Sequence, residues 1–280
     1  MQIRKAKKEE KSPVYIKLGL LVVFVVIAVE IGTAWNMVNV NYLKQAETEK
    51  LNAAAAEALT PAKISVIELN DSSCINCFDV KLLADSIQSQ QFVNVTSLTT
   101  LQYDSDQAKA LIKKYNITVI PSVIVQGEFT KSNVEMLWEA YSGVVFQDGV
   151  YIPGLPPYRN LQTGEIIGLV KIILLSDKSC SICYDVNLHK LILPRFGVKT
   201  VSEDTYDISS PQGKDLIAKY NITKAPTLLI SPEAKAYDTL TQVWTEVGTV
   251  ESDGWYVFRA TEQMGNYTDL LTNQVVNATT

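Results

Sequence analysis

Apolar residues follow two different rhythms along this chain of 280 residues. Leu18 to Val29 reads LGLLVVFVVIAV without a charge, and past Glu30 a second apolar stretch runs through Val38. Together these supply about 20 residues, enough to cross a bilayer as a helix. From Asn39 to Leu59 the composition turns to Lys, Glu, Gln and Ala, which predicts a helical stalk or linker over 39–60 that Thr60-Pro61 ends. A dimerising coiled coil is the sharper alternative, but the apolar positions are sparse and alanine-rich for one. Beyond Pro61 short β-branched runs alternate with helical stripes. Ile64 to Leu69 predicts a strand, Cys77 to Ser89 a helix with Val80, Leu83, Ala84 and Ile87 on one face, and Phe92 to Leu101 a second strand. A helix from Asp104 through Lys114 and a strand from Ser122 to Gln126 follow. A β-α-β order of this kind implies parallel neighbours in a sheet covered by helices. Val134 to Tyr151 alternates like strands, with Asp148-Gly149 as a hairpin turn. The run from Thr268, TDLLTNQVV, predicts a closing helix.

The chain then repeats itself. Val170 to Val186, VKIILLSDKSCSICYDV, keeps eight of seventeen positions of Ile64 to Val80, ISVIELNDSSCINCFDV. Leu216 to Thr227 matches Leu111 to Ser122 at eight of twelve positions, Trp244 answers Trp138, and Gly248 answers Gly143. The spacing is that of a whole domain, so the fold class is α/β, with duplicated units over 61–164 and 165–280. Trp138, Trp244 and Trp255 lie in stretches that read as strand and as core.

Charge adds a direction. The first seventeen residues carry Arg4, Lys5, Lys7, Lys8, Lys11 and Lys17 against Glu9 and Glu10, a net of +4 in a chain whose total is −5, so the remainder stands at −9. An acidic globular part excludes a phosphate-binding footprint, and no nucleic acid is expected as partner. The basic segment 1–17 before an apolar span 18–38 predicts a single-pass cell-membrane anchor with a cytoplasmic N-terminus and extracytoplasmic domains. The strictly uncharged run is only 12 residues long, and Gly32-Thr33-Ala34 is a passable cleavage site, so secretion after signal cleavage is the alternative. Glu30 inside the span would sit near the outer interface, snorkel or be protonated. Asn70, Asn94, Asn116, Asn221, Asn266 and Asn277 head N-x-S/T sequons, which matter only in a host that glycosylates exported proteins.

All four cysteines lie in the duplicated stretch, as Cys74-Ile75-Asn76-Cys77 and Cys180-Ser181-Ile182-Cys183. A strand followed by C-x-x-C at a helix start favours a thiolate on the first cysteine, because unpaired N–H groups and the helix dipole face it. Thiolate is the nucleophile of disulfide exchange, and a second thiol one turn on resolves the mixed disulfide. Cys74 and Cys180 are therefore candidate attacking thiols, Cys77 and Cys183 candidate resolving ones. Four thiolates also make one zinc site arithmetically available, although each pair sits in its own complete domain. Two purely structural disulfides are the other reading.

With Pro121 and Pro226 following their cysteine pairs at corresponding distances, both repeats resemble the thioredoxin family. The family pattern of C-x-x-C, then a proline, usually cis, that faces the cysteines, is matched by Cys74, Cys77 and Pro121, and by Cys180, Cys183 and Pro226. The resemblance implies tandem thioredoxin-like domains, each a central mixed sheet flanked by helices. It also implies redox-active disulfides with no other cofactor and no metal, and substrate binding as an extended strand at Ile120, Pro121, Ala225 and Pro226. Tandem copies are similar to protein disulfide oxidoreductases and disulfide isomerases. The family's buried acid, six residues before the attacking cysteine, falls on Glu68, where it would have a raised pKa and take the proton of Cys77. In the second repeat that position is Leu174, so slower exchange is expected at Cys180 and Cys183.

Departures limit the inference. Ser73 and Ser179 stand where an aromatic is usual, and neither inner pair contains the histidine that stabilises a thiolate, so no strongly oxidising potential is indicated. His189, the only histidine, reads as a satisfied surface or helix residue, and Asp79 and Asp185 as helix-start residues. The expected activity is thiol-disulfide oxidoreduction on cysteine-containing exported proteins, recharged by a membrane or soluble redox partner. A non-catalytic adaptor or chaperone that grips extended segments, with structural disulfides, is the alternative.

Overall fold

A computed structural model describes residues 13–278; the basic residues 1–12 lie outside the described part. Helix α1, Pro13–Leu59, is continuous through both the apolar span and the stretch expected as a stalk. It is long and apolar enough to cross a membrane, and its side chains from Phe24 through Val38 are all exposed. Residues 1–60 and 61–280 form separate compact units, and each is described by itself.

The first repeat begins with β1, Ala62–Asn70, whose alternation puts Ile64, Val66 and Glu68 on one face and Ile67 and Leu69 on the other. Helix α2, Val80–Gln88, packs Val80, Leu83, Ala84 and Ile87 on the Ile64–Val66 face. Strand β2, Val93–Gln102, is parallel to β1, and α3, Asp106–Lys114, covers the opposite face after a Ser105 cap. After β3, Val119–Ile120, comes β4, Ser122–Gly127, antiparallel to β1. The stretch expected to alternate as strands instead opens with α4, Glu135–Ala140, and only then forms the hairpin of β5, Val144–Phe146, and β6, Gly149–Pro153. Trp138 thus lies on a helix, buried as expected, with its indole N–H given to the Phe129 carbonyl. The sheet order is β2-β1-β4-β6-β5. A second hairpin, β7, Tyr158–Asn160, and β8, Ile166–Ile167, pairs with β3 in a separate small sheet, so the strand pairs of the first repeat extend to Ile167.

The second repeat repeats this plan. Strand β9, Val170–Ser176, is central; α5, His189–Ile192, is flanked by 3-10 turns; β10, Thr200–Asp207, and α6, Pro211–Tyr220, follow. Then come β11, Lys224–Ala225, β12, Thr227–Ile230, α7, Asp238–Val247, β13, Gly248–Val250, and β14, Tyr256–Phe258, in the sheet order β10-β9-β12-β14-β13. Trp244 is on α7, a helix and not a strand. Pro194, which lacks an N–H donor, lies in the second of the 3-10 turns flanking α5, where the segment that is one helix in the first repeat ends.

The expected closing helix is a hairpin of β15, Tyr267–Asp269, and β16, Gln274–Val276, with β15 paired to β11. Asp269 accepts hydrogen bonds from the Leu271 and Thr272 N–H groups, and Asn273 takes a positive φ of 52°, which turns the chain back. Asn116 and Asn221, the recurring sequon residues, also hold the left-handed conformation that ends α3 and α6, a role suited to asparagine. Each repeat is therefore a thioredoxin-like α/β unit, one mixed sheet with helices on both faces, and the chain carries two of them behind an apolar N-terminal helix.

Candidate active sites in the two cysteine loops

The first cysteine loop leaves β1 at Asn70 and folds on the side chain of Asp71. One oxygen of Asp71 accepts from the Ser73 N–H at 3.0 Å and the Ser73 hydroxyl at 2.6 Å, while Cys74 N–H reaches the Asp71 carbonyl and Cys77 N–H the Cys74 carbonyl. Cys74 and Cys77 form a disulfide. Cys74 is half-buried and Cys77 only 8% exposed, which matches attacking and resolving positions. The second loop is built the same way on Asp177, which binds the Ser179 N–H and hydroxyl, and carries the Cys180–Cys183 disulfide with both cysteines half-buried.

Neither pair opens a helix. Helix α2 starts only at Val80, after the cap Asp79, whose side chain accepts from Lys81 N–H, and Asp185 caps the turn from Val186 by accepting from Asn187 N–H. The expected helix from Cys77 is thus shortened, because an aspartate cap fixes the first helical residue three places later. Asp79 and Asp185 are the helix-start residues expected. A helix dipole acts within its first turn, so it does not account for a thiolate at Cys74 or Cys180.

The charged groups at the first loop are Asp71 and Arg159. The second oxygen of Asp71 accepts from Arg159 Nε at 2.7 Å, and Arg159 also donates to the Ser73 hydroxyl and the Gly164 carbonyl while lying 5.7 Å from the Tyr103 ring. Burial pushes the Asp71 carboxyl up, but the Ser73 and Arg159 hydrogen bonds and the guanidinium charge outweigh it and hold the carboxyl below its ordinary value. Donor atoms of Asp71, Cys74 and Cys77 all lie within 4.8 Å of one another. That is a spacing a metal would accept, but a metal takes thiolates and these sulfurs are bonded to each other.

In the second repeat the place of Arg159 is taken by Thr268. Both stand opposite the residue before a cis proline: Ile120 pairs with Arg159, and Ala225 with Thr268. The Thr268 hydroxyl binds Asp177 at 2.5 Å and lies 3.6 Å from Cys183 Sγ. Sequence reasoning missed all four residues. The aspartates carried a signal, since Asp71-x-Ser73 recurs as Asp177-x-Ser179; Arg159 and Thr268 carried none, because only sheet register aligns them.

Glu68 is buried in β1, its Oε2 held by the Thr100 hydroxyl at 2.5 Å and its Oε1 without a hydrogen-bond partner among the described residues. It lies under the first loop on the α2 face but is not part of the cluster with the two sulfurs, whose carboxylate is that of Asp71. Leu174, its counterpart, is fully buried in the second core.

The Ile120–Pro121 and Ala225–Pro226 bonds are cis. The edge expected to receive an extended substrate is filled by the chain itself: Ile120 and Ala225 are 0% exposed, Pro121 and Pro226 are buried, and β7 and β15 pair along the edge. The hairpins satisfy backbone groups that an open edge would leave to water or to another strand. The carbonyl of Pro121 accepts from Gly154 N–H at 3.0 Å, an approach that a Cβ at Gly154 would block by standing 2.2 Å from that oxygen. The carbonyl of Pro226 accepts instead from the Tyr184 hydroxyl at 2.9 Å. His189 completes this brace. It is not at the surface but 3% exposed, its Nε2 lies 3.1 Å from the Tyr184 hydroxyl, and its ring stands 4.7 Å from Phe258. With the Tyr184 proton given to Pro226, His189 is the donor, and burial pushes its pKa down to about 4.

No family model and no curated protein matches the chain. Among solved structures it is similar to the N-terminal N/C domain of alkylhydroperoxide reductase AhpF from Enterococcus faecalis, with 16% identity, 66% of this chain and 89% of that one covered, and a TM-score of 0.21. It is also similar to a protein disulfide oxidoreductase from Aeropyrum pernix, with 19% identity over 65% of this chain and 82% of that one at a TM-score of 0.18. Human ERp44 shows 10% identity over 62% and 47% at a TM-score of 0.18. The thioredoxin-like assignment rests on the strand order, the cysteine loops and the cis prolines.

Proposed function

We propose that the chain is a membrane-anchored thiol-disulfide oxidoreductase whose two domains lie outside the cytoplasm and exchange disulfides with cysteine-containing exported proteins. The observation that carries this reading is the half-exposed Cys74–Cys77 disulfide, its second sulfur buried and a buried carboxylate beside both. The apolar helix α1 and the basic residues before it support the anchor and its direction, a cleaved signal being the variant that exports the same domains. Ile75, 92% exposed between the cysteines, and Ile182, 58% exposed, offer a protein partner apolar contact beside the reacting sulfur.

In the reducing direction the Cys74 thiolate attacks a substrate disulfide, forms a mixed disulfide and releases one substrate thiolate. Cys77 then attacks Cys74 Sγ, closing the protein disulfide and releasing the second substrate sulfur, so that two electrons pass to the substrate. Glu68, buried below the loop with one oxygen unpartnered among the described residues, is the proposed acceptor of the Cys77 proton. The oxidising direction reverses these steps, and a membrane or soluble redox partner restores the starting state.

Insulin reduction or refolding of a reduced client tests the proposal: a Cys74→Ala, Cys180→Ala chain should be inactive, and full activity in that variant would sink it. The adaptor reading has no open edge at Ile120 or Ala225 with which to grip an extended segment. A redox titration separates the two, since inert structural disulfides stay oxidised below roughly −300 mV and catalytic pairs titrate above it.

A further inference from the structure

The geometry points to Arg159 and Thr268 as positioning residues that set the two cysteine pairs apart, making Cys74–Cys77 the more readily reduced disulfide and Cys180–Cys183 the less readily reduced one. This rests on the oxidoreductase reading above and adds a direction to it.

The two loops are otherwise nearly alike. Each has a buried aspartate three residues before its first cysteine, held by the serine two places on. Once the first pair is reduced, the Asp71 carboxylate, within 4.8 Å of both sulfurs, repels a thiolate, while in the second loop Asp177 meets Cys183 only through the Thr268 hydroxyl. In the first loop the Arg159 guanidinium cancels that charge at 2.7 Å and, through its 3.1 Å bond to the Ser73 hydroxyl, stands one residue from Cys74. A thiolate there is favoured, and with it the reduced form. In the second loop the hydrogen-bond partners of Asp177 are neutral: the Ser179 N–H and hydroxyl and the Thr268 hydroxyl. Thr268 gives its one proton to Asp177, so the lone pairs of Oγ1 face Cys183 Sγ at 3.6 Å. A Cys183 thiol can donate to that oxygen; a thiolate finds no donor in Thr268.

A second observation is that the support for the arginine changes with it. Tyr103 and Ile208 occupy equivalent places, each giving its N–H to the end of the central strand, Asn70 or Ser176, at 2.9 Å. The ring lies under the guanidinium where Arg159 is present and is absent where Thr268 replaces it. Glu68, below the first loop, lies outside the sulfur cluster and is unaltered by an exchange of these partners.

The test uses the full-length chain in detergent, equilibrated with glutathione buffers, alkylated and quantified by mass spectrometry at each pair. Reduction of a pair breaks one protein S–S bond and forms one between two glutathiones; two electrons reach the pair, with two protons shared between the sulfurs and solvent. The first pair should be more readily reduced by about tenfold in equilibrium constant, equivalent to roughly 30 mV. Arg159→Thr should remove most of that difference, Arg159→Lys should retain part of it, and Thr268→Arg should shift the second pair the opposite way. The midpoint pH of iodoacetamide alkylation should move with each, upward in Arg159→Thr and downward in Thr268→Arg, while circular dichroism reports folding. If Arg159→Thr does not fold, Thr268→Arg and Arg159→Lys decide the matter. Exchange at both pairs with constants unmoved by the folded variants would overturn this inference alone. Absence of exchange at either pair of the parent chain would overturn the functional reading and this one together.

Discussion

The two cysteine loops share a scaffold and differ in the polar groups placed under it. Strand order, the Asp-x-Ser turn, the disulfide, the cis proline and the hairpin beside it occur in both. Beneath the first loop stand Glu68, Arg159 and Tyr103, with Phe78 and Leu83 nearby; the corresponding places in the second hold Leu174, Thr268, Ile208, Tyr184 and His189. The first loop therefore carries the Asp71–Arg159 ion pair, while the second has the neutral Thr268 between Asp177 and Cys183 and the Tyr184–His189 brace on the proline carbonyl. Duplication kept what forms the loop and altered what tunes it, so each difference between the copies is a defined substitution to make.

The largest expected effect belongs to His189, which stands where the first repeat has Leu83. Its folded pKa of about 4 lies below the ordinary histidine value of 6.5, so between these values the unfolded chain binds more protons and stability falls as the pH falls. The contribution is fully present above about pH 6.5 and amounts to about 3 kcal/mol lost by pH 4. Urea unfolding of the parent and of His189→Leu across this range should show the extra acid sensitivity only in the parent. Identical pH profiles would mean that the buried histidine does not distinguish the repeats.

The aspartates come next. Asp71→Ala leaves Arg159, with a side chain 21% exposed, facing a fully buried gap, and should cost between about 2 and 3 kcal/mol. Asp177→Ala strands only neutral donors, the Ser179 N–H and the Ser179 and Thr268 hydroxyls, and should cost about 1 kcal/mol. Equal losses in denaturant titrations would show that Arg159 finds another partner or water, and that the two loops are less different than their contacts suggest.

Much of this was legible from the chain. The β1–α2–β2 rhythm, the duplication, both cysteine pairs and both prolines could be read from periodicity and self-similarity, because a strand buried on one face and a helix with one apolar stripe leave a period in the sequence. What could not be read depended on contacts between distant segments. The hairpin at Thr268 looked helical until β11 supplied an edge for it to pair with, and Trp138 and Trp244 sat in runs whose apolar spacing fits either element. Arg159 lies 85 residues beyond Cys74 and acquires its role only through register with Ile120. His189 is the satisfied helix residue that its position suggests, but its burial is not legible, because nothing local announces that Tyr184 and Phe258 enclose it.

The smallest expected effect bears on Glu68, the one residue for which stability and chemistry pull in opposite directions. Glu68→Leu copies Leu174 into the first repeat. It removes a buried carboxylate with one unpartnered oxygen and returns the hydroxyl of Thr100, an exposed residue, to water, so the first repeat should gain about 1 kcal/mol. If Glu68 takes the proton of Cys77, the same change should slow exchange at the first pair by at least about tenfold. Stabilisation with unaltered exchange would assign the proton to Asp71 or to water and leave Glu68 as a buried acid without a catalytic part. Destabilisation would mean that its unpartnered oxygen is bonded to water in the folded protein, as a buried carboxylate kept for a proton would need.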